Sequence, residues 1–153
     1  MARASTQIVG GAYRDVVMRE ARSPAYQAYQ VLHWGFVALP VIAGLDKFAH
    51  LLVDWNQYLA PGIAGMLPVS ANTFMIGVGV IEIAVGLLVA IRPRIGALVV
   101  AAWMAAIIVN LLLSGSYFDI ALRDFGLGLA AIALSRLALD FDVSAREREA
   151  ARP

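Results

Sequence analysis

Residues 71–91 read ANTFMIGVGVIEIAVGLLVAI, an apolar run with a single ionisable group, Glu82, near its middle. A helix crosses the ~30 Å hydrocarbon layer of a bilayer in about 20 residues, so the run is long enough to span. Eleven of its positions are Ile, Leu, Val or Phe. At about −0.3 to −0.6 kcal/mol each, they favour insertion by roughly 3–7 kcal/mol. A carboxylate at the membrane centre opposes this by about 2.5–3.5 kcal/mol. The run therefore reads as a transmembrane helix, and at that depth Glu82 needs either a partner or a proton.

The rest of the chain shares this character. Hydrophobic residues make up 61% and charged residues 15%, against about 25% charged in soluble domains. The fold class that follows is an all-α, polytopic membrane four-helix bundle. The net charge is +1 and the basic residues are scattered, so no nucleic-acid partner is expected. The absence of cysteine removes disulfides, thiolate metal ligands and thiol exchange within the chain. Two histidines alone do not complete a tetrahedral zinc site, and no metal centre is expected.

Outward from the central run, four spans are expected at about 26–47, 71–91, 95–113 and 120–139. Residues 1–25 place Val9, Ala12, Tyr13, Val16 and Val17 at helical spacing away from Arg14 and Arg19, the pattern of an amphipathic segment on a membrane surface. The alternative is a frayed terminus, because Gly10-Gly11 interrupts the pattern. No signal-peptide pattern opens the chain, so the first span is expected to act as the uncleaved insertion signal. That span carries Pro40, which frees the Phe36 carbonyl and predicts a kink. It also carries His33, read as a structural hydrogen-bonding residue. On a continuing helix Asp46 and His50, four apart, share a face beside Lys47. Residues 51–70 are apolar but broken by Pro61, Gly62, Gly65 and Pro68. They read as an interfacial lid with Trp55 and Tyr58 at the membrane boundary.

Within the second span, Gly77-Val78-Gly79-Val80-Ile81-Glu82 superficially matches part of a dinucleotide fingerprint, but no strand precedes it. Gly77, Gly79 and Gly86 read instead as points of close helix approach. Asn110 in the third span reads as an interhelical hydrogen-bonding residue, with ligand contact the alternative. The fourth span is long enough only if Arg123-Asp124 lies inside or at the edge of the hydrocarbon layer. Asp119 and Asp124 flank Arg123, either as a structural ion pair or as a ligand grip. Residues 140–153 form a charged tail in which Ser144 and Glu147 have capping-box spacing.

Ten of the twelve basic residues fall in the N-terminal segment, the Arg92–Arg94 turn and the tail from Arg136. The positive-inside rule then makes both termini cytoplasmic. In that topology Asp46, Lys47, His50, Glu82, Asn110, Asp119, Arg123 and Asp124 all fall in the outer half. Either they gather into one polar pocket, or Asp46, Lys47, His50 and Asp119 lie among the outer headgroups. For Glu82, the nearest candidate partners by depth are Arg123 and Lys47.

Three short motifs carry a family resemblance over roughly Val31 to Leu137. They are Gly44-Leu45-Asp46-Lys47 closing the first span, Gly79, Glu82 and Gly86 in the second, and Arg123-Asp124 opening the last. In these the chain resembles the DoxX family of small four-helix membrane proteins; His50 and the N-terminal segment have no counterpart in that pattern. The resemblance implies a bacterial cytoplasmic-membrane protein in a redox-linked setting, where family members are subunits of thiosulfate:quinone oxidoreductase or quinol-oxidase assemblies. It implies other membrane or peripheral redox subunits, or further copies of the chain, as partners. No cofactor is intrinsic to this chain and no residue carries electrons, so catalysis by the chain alone is not expected. A bound quinone would take hydrogen bonds from His50, Lys47 and Arg123 and exchange protons through Asp46, Glu82 and Asp124. From a different class comes a structural or assembly protein whose buried charges only fix helix packing. A proton-coupled transporter built on Glu82 is the least favoured, since four spans show no internal repeat.

Overall fold

The structure, a computed structural model, describes residues 23–150, with side chains placed as far as Phe141. The amphipathic segment expected over residues 1–25 therefore lies, apart from its last three residues, outside the described part. Among the described residues all regular structure is helical, in four long helices: α1 (Pro24–Ala49), α2 (Ala71–Ile91), α3 (Pro93–Ser114) and α4 (Phe118–Ala150). Between α1 and α2 the chain makes a 3-10 turn at Trp55–Tyr58 and a short helical turn at Pro61–Ala64. Helices α1, α2 and α3 are each long and apolar enough to cross a membrane, and the chain is an integral membrane protein.

The helix boundaries follow local chemistry. Ser23 caps α1 by accepting from the Tyr26 N–H at 3.1 Å, with Pro24 in the first turn. There a missing N–H costs nothing and a fixed φ helps. Ser70 caps α2 in the same way through the Thr73 N–H. Pro93 opens α3 immediately after α2 ends, leaving only Arg92 between them. Gly115, at φ 68°, takes the left-handed conformation that ends α3, which glycine adopts without a side-chain clash. Helix α1 runs through Pro40 without interruption.

Short connections make sequential helices antiparallel neighbours. Helix α1 packs most extensively on α2 and α3 on α4, while α2–α3 and α1–α4 contacts close the ring and α1 and α3 barely meet across it. The apolar core occupies the end of the bundle where α1 begins. There Tyr29 and Phe36 meet Val85 and Val89, Ala97 and Val100, and Ala131, Leu134 and Ala138. Outward positions such as Val31, Leu39, Ile42, Leu87, Leu98, Leu122 and Leu129 are exposed, the inverse of a soluble bundle and suited to lipid.

Burying apolar surface drives little helix association in a bilayer, so close backbone packing matters more. A Cβ on Gly44 would meet the Gly79 carbonyl oxygen at 2.6 Å, and one on Gly79 the Gly44 carbonyl oxygen at 2.7 Å. Gly86 is equally confined, against Val41 and the Val37 carbonyl oxygen. Gly77, read from sequence as a third such point, faces open space. At the α2–α3 turn, a Cβ on Gly96 would strike the Val89 backbone at 2.5 Å.

Helix α4 is longer than the span read from sequence. It continues past Leu139 to Ala150, because no Gly or Pro occurs between Gly128 and Ala150 to stop helix propagation. The Ser144/Glu147 spacing thus falls inside a helix instead of opening a separate one.

Candidate functional site

The antiparallel contact of Gly44 with Gly79 sets up the central polar feature. Lys47 lies one turn after Gly44 and Glu82 one turn after Gly79. Side chains lean toward the N-terminus of their own helix. On antiparallel helices, therefore, Lys47 and Glu82 lean toward each other across the glycine contact. Lys47 Nζ lies 2.6 Å from Glu82 Oε2, with the two side chains 3% and 9% exposed. Two charges this sheltered must be paired, since either alone bears most of its desolvation penalty. Glu82 thus has Lys47 as its partner, and Arg123, the other candidate by depth, is elsewhere.

Two tryptophans complete the surroundings. The Trp55 ring lies over Lys47, with Nζ 3.7 Å from the ring centroid, within cation–π range. Trp103 of α3 approaches the Glu82 carboxylate, but its buried Nε1–H closes no hydrogen bond on it or on any other described group. Lys47 is the only lysine of the chain.

Asp46, beside Lys47, is directed at the loop. Its Oδ1 accepts from the Leu51 and Leu52 backbone N–H groups, each at 3.0 Å, and its Oδ2 from the Trp55 indole N–H at 2.7 Å. The chain can turn back so sharply because α1 ends at Ala49 and His50 adopts a left-handed φ of 51°. Sequence spacing placed Asp46 and His50 on one face of a continuing helix. The helix stops instead, and the His50 side chain is exposed.

Asn110 of α3 holds the far side of the same loop. Its Nδ2 donates to the Tyr58 carbonyl at 2.6 Å and its Oδ1 accepts from the Ala60 N–H at 3.0 Å. The interhelical role read from sequence is replaced by a loop-to-helix one. Tyr58 also stacks edge-on against Tyr117 at the α3–α4 connection.

The eight candidate residues do not form one pocket. Asp46, Lys47 and Glu82 share a centre through Trp55, and Asn110 secures its cover. Arg123 pairs with the adjacent Asp124, Nε and Nη2 each 3.0 Å from Oδ1. In that pair the arginine is 65% exposed and the aspartate 5%. Asp119 is exposed in the first turn of α4, where an acidic group suits the helix dipole. No group of three or more acidic or histidine side chains able to hold a metal ion occurs among the described residues.

Trp55 and Trp103 were absent from the sequence-derived candidates. Trp103 left a signal. Glu82 lies ten residues before Arg92 and Trp103 eleven after it, so a helical hairpin turning at Arg92 puts both at one depth. Trp55 left none beyond its interfacial residue type, because the loop path depends on where α1 stops.

His33 sits at the opposite end of the α1–α2 pair, with Nε2 3.1 Å from the Val89 carbonyl oxygen. That carbonyl would ordinarily accept from residue 93, which is proline and has no N–H. The histidine is therefore the donor, and it replaces the missing backbone bond. Trp34 stacks on its ring.

Against known proteins, no family model, no curated protein and no solved structure matches this chain.

Proposed function

We propose that the chain is a DoxX-like subunit of a quinone-linked membrane redox complex, with α4 as a fourth span and both termini cytoplasmic. In this reading the Lys47–Glu82 centre is where a small ligand or a proton is handled. One observation carries it: a lysine and a glutamate, expensive inside apolar helices, meet at 2.6 Å beneath an indole cover. The motif residues behind the family resemblance in α1 and α2 converge there, Gly44 on Gly79 and Lys47 on Glu82. Lys47 can donate to a quinone carbonyl, Glu82 can take or deliver the proton, and the Trp103 N–H adds a further donor at the same depth. In this reading His50 and Arg123, both exposed, stand outside the Lys47–Glu82 centre. The electron-carrying group belongs to a partner chain.

A second reading, a structural protein whose charges set helix registry, draws on how completely Asp46 and Asn110 are committed to the loop. Purification from native membranes in mild detergent, followed by mass spectrometry for partner chains and extractable quinone, separates the two. A redox partner or quinone should co-purify, and Glu82→Gln should lose the quinone-linked activity while the protein stays folded. A lone, ligand-free oligomer would overturn the redox reading and leave the structural one.

A further inference from the structure

We propose that the Trp55 indole is a movable cover on the Lys47–Glu82 pair, able to swing away while the backbone of its loop stays in place. Two independent sets of bonds hold that backbone. On one side Asp46 Oδ1 holds the Leu51 and Leu52 N–H groups. On the other, Asn110 holds Tyr58 and Ala60. The Asp54 carboxylate caps the intervening 3-10 turn by accepting from the Asn56 N–H at 3.1 Å. None of these bonds involves the Trp55 side chain.

The indole itself is held by two contacts, its N–H on Asp46 Oδ2 and its face over Lys47. Rotation about the Trp55 side-chain torsions breaks both at once and leaves the five loop bonds intact. Asp46 Oδ1 keeps its two backbone donors throughout, and Oδ2 gives up the indole N–H. The cover also lies at the loop end of the bundle, away from the apolar core, where departure of a side chain disrupts least. Opening exposes the Lys47 ammonium to whatever approaches from that end, while α1 and α2 stay locked at Gly44 and Gly79.

Because Lys47 is the chain's one lysine, its accessibility can be read directly. Purified full-length protein in detergent is treated with a water-soluble amine-acylating reagent, and mass spectrometry separates label on Lys47 from label on the N-terminal amine. In the wild type, Lys47 should label slowly. Trp55→Ala should speed labelling at that residue by on the order of a hundredfold, the scale of a lost cation–π contact and a charge-assisted hydrogen bond, with helicity and slow hydrogen exchange in mid-α1 and mid-α2 close to wild type. Trp55→Phe, which keeps a ring over the ammonium but has no N–H, should fall between them, and it decides the matter if the alanine variant does not fold.

A folded Trp55→Ala protein that labels no faster than wild type would overturn the proposal. So would acceleration accompanied by loss of helicity or by faster hydrogen exchange throughout α1 and α2, since that marks general loosening. The readout needs neither quinone nor partner. Failure of the redox reading with accelerated labelling leaves the cover standing, and the reverse pattern removes the cover alone.

Discussion

At the scale of single residues, the Lys47–Glu82 pair sets the largest energetic stakes. Lys47→Met leaves a buried carboxylate without its counter-charge, and Glu82→Leu strands the ammonium. In protein interiors such a loss costs about 3–5 kcal/mol, whereas replacing both partners by apolar groups of similar size is often close to neutral. Each single variant should therefore unfold at clearly lower temperature or denaturant concentration in detergent, and the double variant should recover most of the loss. A double variant that loses the sum of the two single losses would show that the two residues act independently. The sequence made Glu82 conspicuous through its depth, yet left Lys47 and Arg123 as rival partners. Depth is legible from residue counting. The rotation of α4, which turns Asp124 inward and leaves Arg123 65% exposed, is not, because α4 is amphipathic only weakly and its facing emerges from packing.

At the scale of elements, the α1–α2 contact and the 51–60 loop make separate predictions. Gly79→Ala places a methyl group against the Gly44 carbonyl oxygen at 2.7 Å and Lys47 Cβ at 3.1 Å. Neither neighbour can retreat without parting the helices, and overpacking of this kind costs about 1–3 kcal/mol. Gly77→Ala meets nothing within 4 Å and should stabilise slightly, by about 0.5–1 kcal/mol, through helix propensity alone. Opposite signs for glycines two residues apart, measured by thermal melts, would locate the contact; equal signs would count against it. Asn110→Ala removes both bonds to Tyr58 and Ala60, so hydrogen exchange at Ala60 should rise sharply while exchange in mid-α3 stays slow. Helix bounds were largely readable in advance. Ala71 and Ile91 coincide with the apolar run, and α1 and α3 extend two residues earlier than the spans because Pro24 and Pro93 start helices as well as stop them. The fold of the loop was not readable, since its path rests on one left-handed residue, His50, and on two side chains reaching in from elsewhere.

At the scale of the whole molecule, the open quantity is the number of crossings. Three helices are long and apolar enough, and the proposed topology adds α4. The chain has no cysteine, so each introduced one is a unique reporter. Gln57→Cys, Ser116→Cys and Asp140→Cys place reporters at exposed positions. In sealed vesicles, an impermeant maleimide should label the first two from one side and the third only from the other. Labelling of all three from one side would mean that α4 does not cross.

Two polar links join α1 to α2, one toward each end: His33 to Val89 and Lys47 to Glu82. During synthesis this has a temporal meaning. Lys47 leaves the ribosome 35 residues ahead of Glu82, which at about 5–20 residues per second is a wait of roughly 2–7 seconds. Throughout that interval α1 carries an ammonium without its counter-charge. Once α2 emerges, both links close without help from α3 or α4. The smallest portion of this chain that a bilayer can accept with its charges satisfied is therefore the α1–α2 hairpin, delivered as a pair.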